Sequence, residues 1–316
     1  MMDKYAFGVD IGGTTVKIGL FDEEGRVLDK WEIPTVKDNE GASILPDVAR
    51  SLLDKMKEKG IGQESLVGIG VGAPGAIDGD GNVVGRAVNL GWDSFNIPEA
   101  MRAYINVPVR AVNDANAAAF GEMWQGGGKG CTNMVAVTLG TGVGGGIIVD
   151  GNILTGAAGG GGEIGHIHIN DEETEVCGCK NRGCLEQYAS ATGIVRLAKR
   201  RLEKDNTPSV LRKGTVSAKT VFDAVKAGDQ VAIEIAEQFG MYLGKGLANV
   251  ANVVNPEVFV IGGGVSKAGE ILLTFIEPEF RKYAFQASRN AKFVLATLGN
   301  DAGIYGAAGL VLGNRK

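Results

Sequence analysis

Apolar and polar positions alternate in short runs over the first forty residues, in "YAFGVDIG", "TVKIGLFD" and "RVLDKWEI". A period of two, broken at Gly12-Gly13 and at "EEGR", predicts a three-stranded meander. The spacing then lengthens. In "ASILPDVARSLLDKMKEKG" the residues Ile44, Leu45, Val48, Leu52 and Met56 share one helical face, and Gly60 closes the helix. "LVGIGVGA" and "VPVRAVND" predict two further buried strands, which completes one α/β lobe.

The pattern restarts at "MVAVTLGTGVGGGIIVDGNIL". A shift of 128 places Val9 on Val137, Gly12 on Gly140 and Asp22 on Asp150, within two strand–glycine turn–strand–Asp units. Such an internal repeat predicts a second lobe on the same plan. Helical spacing follows in "ATGIVRLAKRRLEKD", in "SAKTVFDAVKAGD" and from Val231 to Val254. "EVFVIGGGVS" reads as a buried strand ending in glycines, "KFVLATLG" as another strand, and "DAGIYGAAGLVLG" as a helix of small residues. A ligand is expected at the carboxyl ends of such strands.

Length agrees with two lobes, since 316 residues exceed the usual size of one compact domain. A hydrophobic fraction of 44% and a charged fraction of 22% are those of a folded globular chain. The net charge of −5 argues against a nucleic-acid partner. Val231–Val254 is interrupted by Gly240, Lys245, Asn249 and Asn252, so it reads as a buried helix and no membrane partner is expected. "MMDKYAFGVDIGG" reaches its paired glycines within about a dozen residues, with no basic segment followed by an apolar stretch before them, so a cytoplasmic location is expected. Glycine is the outlier, at 50 residues, about double the usual ~7%. Backbone must approach something closely at several places.

"GTGVGG" fits G-x-G-x-x-G, but "IIVD" continues as a strand where a dinucleotide fingerprint needs a helix. No G-x-x-x-x-G-K-[ST] occurs. What remains is a pair of glycine hairpins, "DIGGTTVKIG" and "TLGTGVGGG", whose turn amides suit anionic oxygen. Thr14 and Thr141 add hydroxyls and Lys17 a cation. "VNDANAAAFGE" crowds Asn113, Asp114 and Asn116 at a strand-to-helix junction. Asp114 there is either a helix cap or a strand-end general base.

Both histidines and three of the four cysteines lie in "GEIGHIHINDEETEVCGCKNRGCLEQ". His166, Cys177, Cys179 and Cys184 offer three thiolates and an imidazole, the donor set of a closed, structural Zn²⁺ site. His168, two residues along a strand-like "HIHI", reads as a bystander, and Cys131 as a small buried residue.

In this order, "DIGGTTVKIGL", "NDAN", "TLGTGVGGG", "GGEIGHIHI", "CGCKNRGCLEQYAS" and "VIGGGVS" resemble the ROK family of sugar kinases and repressors, a branch of the actin-like, hexokinase-like superfamily. The resemblance runs nearly end to end. It implies an α/β fold of two ribonuclease-H-like lobes around a central cleft: 1–117 with 301–316 as the smaller lobe, and 118–300 as the larger, carrying the zinc loop. It implies an ATP-dependent hexose kinase with Asp114 as general base. Asn113, Glu163, His166 and Glu186 would bind the sugar, with Asn89 joining them. Gly12, Gly13, Thr14, Lys17, Gly140, Thr141 and Gly142 would surround the ATP phosphates, Asp10 would lie close to Mg²⁺, and Gly263 and Gly264 would back the adenosine. One nitrogen of His166 would bind zinc and the other face the sugar.

"CGCKNRGCLEQYASATG" and "NLGWDSFNIPE" are most similar to the glucokinases of the family. Kinases of N-acetylmannosamine, fructose or N-acetylglucosamine are alternatives within the class. The rival from another class is a sugar-sensing transcriptional regulator, which carries a helix-turn-helix before its kinase-like body. Here the first strand is expected near residue 5. The family resemblance also implies a homodimer or higher homo-oligomer.

Overall fold

Tyr5–Ile11 (β1), Thr15–Asp22 (β2) and Val27–Pro34 (β3) form the expected antiparallel meander in the computed structural model, which describes residues 3–313. Asp10 pairs with Lys17 and Ile11 with Val16. At the turn between them a Cβ on Gly12 would stand 2.8 Å from the Thr15 carbonyl oxygen, closer than a side chain allows. After a single turn, Asp38–Gly41 (α1), comes Ile44–Lys59 (α2). Its Pro46 falls in the first turn, where a missing N–H leaves no bond broken, and Gly60 ends it at φ 67°. Leu66–Ala73 (β4) and Val109–Asn113 (β5) add parallel strands, giving the order β3-β2-β1-β4-β5. Between them, residues 74–96 are held by isolated bridges such as Ile77 with Val83 and Ala87 with Trp92, then by the short helix Ile97–Arg102 (α3).

Asp114–Gln125 (α4) leads to the second sheet: Met134–Leu139 (β6), Val143–Val149 (β7), Asn152–Ile153 (β8), Val258–Gly262 (β9) and Lys292–Leu295 (β10). Its order, β10-β9-β6-β7-β8, repeats the first sheet with the same parallel and antiparallel pairs. The repeat read from the sequence carries β1 and β2 onto β6 and β7, and weakens at β8, which is only two residues long. The rest of this lobe is helical: Glu186–Ala189 (α5), Ala191–Lys204 (α6), Ala218–Lys226 (α7), Gln230–Val254 (α8) and Ile271–Tyr283 (α9). α8 is buried, as its composition requires, with Phe239, Leu243 and Leu247 in one core with Phe222, Phe259 and Phe280. Among the described residues no helix is long and apolar enough to cross a membrane.

The last helix, Ala302–Leu312 (α10), follows the second sheet but packs on the first. Side chains at Gly8 and Gly70 would overlap the carbonyls of Ile304 and Ala307. Conversely α4 follows the first sheet and lies on β7, where a Cβ on Gly146 would collide with Ala119. The two helices cross where Gly121 faces Ala302 and Gly306 faces Ala117, each glycine leaving room only for backbone. Small residues permit an approach closer than the usual ~8–10 Å between helix axes. The exchange brings the first turn of α10, at Gly303, against Asp10 at the end of β1.

Candidate active site

Asp10 ends β1 beside Gly72 of β4, and Asp114 opens α4 at the end of β5. A Cβ on Gly72 would be 3.7 Å from the Asp114 Cα and 3.8 Å from Asp10 Oδ1. Gly303, in the first turn of α10, admits the Asp10 carboxylate because it lacks a side chain. Burial pushes the Asp10 carboxyl up to about 6, with a further upward contribution from Asp114 and a partial offset from Lys17. Lys17 donates to the Asn300 carbonyl at 3.1 Å. The cluster therefore holds an excess of negative charge, an environment suited to a divalent cation.

The cap question at the junction is decided by Asn113. Its Oδ1 accepts from the amides of Ala115 at 2.9 Å and Asn116 at 3.2 Å, while its Nδ2 donates to the Gly75 carbonyl at 2.9 Å. Asn113 is the cap of α4, and Asp114 Oδ1 shares only the Ala115 amide, at 2.8 Å. Burial raises the Asp114 carboxyl above the ordinary aspartate range, against the opposing bonds from the backbone amides and Asn113. Asp114 is half-buried and Asn116 fully buried, and Asn116 Oδ1 has no hydrogen-bond partner among the described residues.

Both hairpins are as expected. Gly12 N donates to Thr15 O at 2.9 Å and Gly140 N to Gly142 O at 3.0 Å, which leaves the tip amides of Gly13, Thr14, Thr141 and Gly142 outside the ladders. The second tip is anchored from behind: Ala191 N donates to Gly140 O at 2.8 Å, and Thr192 Oγ1 to Thr141 O at 2.7 Å. Thr141 also lines a cavity of about 690 Å³ with Thr192, Val195, Lys199 and Ser217. Gly263, at φ 84°, lies against the Leu139 backbone beside this tip.

His166, Cys177, Cys179 and Cys184 converge, with one ligand atom from each lying within 4.8 Å of every other. Tetrahedral Zn²⁺ at about 2.3 Å from sulfur places sulfurs roughly 3.8 Å apart. Here Cys179 and Cys184 are separated by 3.5 Å, and Cys177 Sγ is 3.9 Å from His166 Nδ1. The donor set fits zinc, and the cysteines are free of disulfides. His166 lies in a one-turn segment, Ile164–His166, and not in a strand as "HIHI" had predicted. Its Nδ1 faces the thiols and its Nε2 faces Glu163 at 3.9 Å. His168 turns away to Asp171 and the Arg182 carbonyl, outside the cluster. Cys131 is half-buried, less enclosed than expected, because it sits in the turn before β6.

Glu186 joins these parts. Its Oε1 accepts from Cys177 Sγ at 3.1 Å and is 3.9 Å from His166 Nδ1, while its Oε2 is 3.4 Å from the Val143 amide and against Gly142. Glu163 and Asn89 are exposed, and Asn89 approaches the first hairpin only through its carbonyl, 3.8 Å from a Cβ built on Gly13. No hydrogen bond or ion pair among the described residues joins Asp114 to Glu163, His166 or Glu186. Gly264 contacts nothing within 4 Å of its Cβ position. A separate cavity of about 620 Å³, between β5 and the β7–β8 turn, contains none of the candidate residues.

Sequence reasoning missed Glu122, a buried carboxylate in α4. It accepts from the amides of Gly127 (2.8 Å), Thr297 (3.1 Å) and Leu298 (2.9 Å), tying α4 to the connection that precedes α10. No local signal marks it, because two of its three partners lie about 175 residues away.

The profile of the ROK family matches residues 6–314. A glucokinase from Halalkalibacterium halodurans is 45% identical over 316 residues, covering 98% of this chain and 96% of that protein. A crystal structure of a ROK family glucokinase from Streptomyces griseus, in complex with glucose and AMPPNP, is 34% identical, covers 97% of this chain and 98% of its own, and superposes with a TM-score of 0.72. A ROK hexokinase from Thermus thermophilus is 32% identical over 96% of each chain, with a TM-score of 0.79.

Proposed function

The chain belongs to the ROK family, and from that premise we propose that it is a glucokinase, transferring the γ-phosphoryl group of ATP to the 6-hydroxyl of glucose. The observation that carries the catalytic assignment is the half-buried Asp114 carboxylate at the head of α4, beside Asp10 and raised above the ordinary aspartate range while Asn113 supplies the cap. The choice of glucose rests on relatives that are glucokinases.

Asp114 accepts the proton of the sugar hydroxyl while its oxygen attacks the γ-phosphorus, and the bond to the bridging β,γ-oxygen breaks to leave ADP. Asn113, Glu163, His166 and Glu186, with Asn89, hold the other hydroxyls. A sugar lacking one of them leaves a carboxylate unpaired and is rejected. Gly12, Gly13, Thr14 and Lys17 on one hairpin, and Gly140, Thr141 and Gly142 on the other, surround the phosphates with amides, hydroxyls and one ammonium. Gly263 and Gly264 lie against the adenosine.

Mg²⁺, bound with ATP, supplies charge neutralisation at the phosphate oxygens, and Asp10 is the carboxylate that would hold it. Zinc is structural: His166 Nδ1, Cys177, Cys179 and Cys184 would hold it with no open position, and its service is to fix His166 Nε2 toward the sugar. The smaller lobe comprises 1–117 with 301–316 and the larger 118–300. Closure between them excludes water, a competing acceptor. The protein acts in the cytoplasm as a homodimer or higher homo-oligomer, which light scattering on the purified protein checks.

The test is ADP release with ATP and Mg²⁺ across glucose, fructose, N-acetylmannosamine and N-acetylglucosamine, with Asp114→Ala as control. Glucose gives the highest kcat/KM, and the variant loses turnover while keeping sugar affinity. Preference for another hexose overturns the substrate. Sugar binding without ADP from any of them moves the protein to the regulator class, and full activity in Asp114→Ala removes that residue as the base.

A further inference from the structure

Among four acidic residues between Asn170 and Val176, one is buried. The Glu173 side chain is 1% exposed, whereas Glu175 is 61% exposed and Asp171 98%. Glu173 accepts the Tyr188 hydroxyl and pairs with Arg196. It also accepts from Arg200 Nη2 at 3.2 Å and from the Glu175 amide at 2.9 Å. Burial alone would raise its carboxyl, but these donors outweigh it and hold it at about 2. Burial and Glu173 push the Tyr188 phenol to about 12. The proton stays on tyrosine, and the anion stays on glutamate.

Tyr188 is itself fully buried, stacked on Tyr242 of α8 with ring centroids 4.0 Å apart, and the Arg196 guanidinium lies over its ring. It sits two residues after Glu186 in the same short helix α5. The metal ligands lie at the other end of the loop, and Gln187 spans the two parts. Its Oε1 accepts from the Cys184 amide at 3.0 Å and its Nε2 donates to the Glu175 carbonyl at 3.0 Å.

We propose that Glu173, acting through Tyr188, is a positioning residue that holds Glu186 for the sugar independently of the metal, so that the loop has two fasteners. Zinc fixes the tip, 177–184, with His166. The buried carboxylate fixes the base, 170–176 with α5, to α6 and α8. The inference rests on Glu186 being a sugar ligand. A merely stabilising ion pair would share the burial and the geometry, but its loss would not move glucose KM while kcat and metal content stay fixed.

The experiment compares wild type and Tyr188→Phe, each with zinc and after chelation, by amide hydrogen exchange, zinc content and glucose kinetics. In the wild type, chelation exposes amides of 177–184 while 170–173 and 186–189 remain protected. Tyr188→Phe with zinc retains its metal and its kcat within about twofold, and glucose KM rises about tenfold, the size expected for a hydrogen bond to a buried anion. In the chelated variant the base also loses protection, and KM rises by more than the product of the two separate effects. Should Tyr188→Phe fold poorly, Arg200→Lys, at a half-exposed position, shifts KM in the same direction by a few-fold. The proposal is overturned if chelation of the wild type exposes 170–189 as one unit, or if the variants lower thermal stability with glucose KM unchanged. Absence of glucose turnover in the wild type would count against the kinase reading alone, because the exchange pattern still decides whether there are two fasteners.

Discussion

Replacing Asp10 by asparagine should make the protein more stable and inactive. In the free protein burial, and then the neighbouring charge of Asp114, push the Asp10 carboxyl from an ordinary 3.8 to about 6. At 1.36 kcal/mol per pH unit that shift corresponds to about 3 kcal/mol of native-state destabilisation wherever the group is ionised. The sign follows from proton counting. Between pH 4 and 6 the folded protein retains a proton that the unfolded chain has released, so this group favours folding as pH falls. Above pH 6 both states are ionised and the full cost is present. Asp10→Asn removes the charge with little change of shape, so at pH 8 it gains about 2–3 kcal/mol, roughly 4 °C in a chain of this length. The advantage shrinks steadily and vanishes near pH 4, and other titrating groups cancel in the difference between the two proteins. Scanning calorimetry from pH 4.5 to 8, without nucleotide or added Mg²⁺, measures it. A variant no more stable than wild type at pH 8, or a gap that does not change with pH, refutes the reasoning. Turnover should fall by at least about 100-fold in the same variant, because the strained carboxylate is the one assigned to the cation.

Gly306→Ala forces a Cβ into the Ala117 carbonyl at the helix crossing, where backbone cannot yield cheaply. Soluble yield collapses or thermal stability falls by about 3 kcal/mol or more, although alanine is the better helix former. Glu122→Gln weakens three charge-assisted bonds, two of them to the connection before α10 and one to Gly127 just after α4, costing about 2 kcal/mol by denaturant titration with wild-type zinc content. Cys179→Ser lowers bound zinc well below one per chain and raises glucose KM about tenfold through loss of His166 orientation, while ATP KM stays within about twofold. Metal analysis and steady-state kinetics check both parts.

The elements that the sequence announced are those whose determinants are local. Alternation set β1, β2, β6 and β7; the period of Ile44, Leu45, Val48, Leu52 and Met56 set α2; and three cysteines within eight residues with a histidine upstream marked the metal loop. Residues 74–96 were silent because they follow no period and are held by isolated bridges. The loop "NDEETEVC" reads as a uniformly solvated acidic run, and nothing in it separates Glu173 from Glu172 or Glu175. Only the arginines of α6 and the hydroxyl of Tyr188 make that distinction.

By itself the sequence therefore determined the two repeated hairpins, the metal donor set and the strand-to-helix junction at Asp114, since each depends on neighbours a few residues apart. The tertiary structure decided which of three polar residues caps α4, that Asp10 and Asp114 come together at the strand ends, and that α4 and α10 exchange sheets to cross at glycine. The cap is a choice among adjacent residues made by geometry, and the other two outcomes depend on burial and charge contributed from positions up to hundreds of residues apart. The free energy of a carboxylate is set by what surrounds it in space, and a linear pattern carries no record of that surrounding.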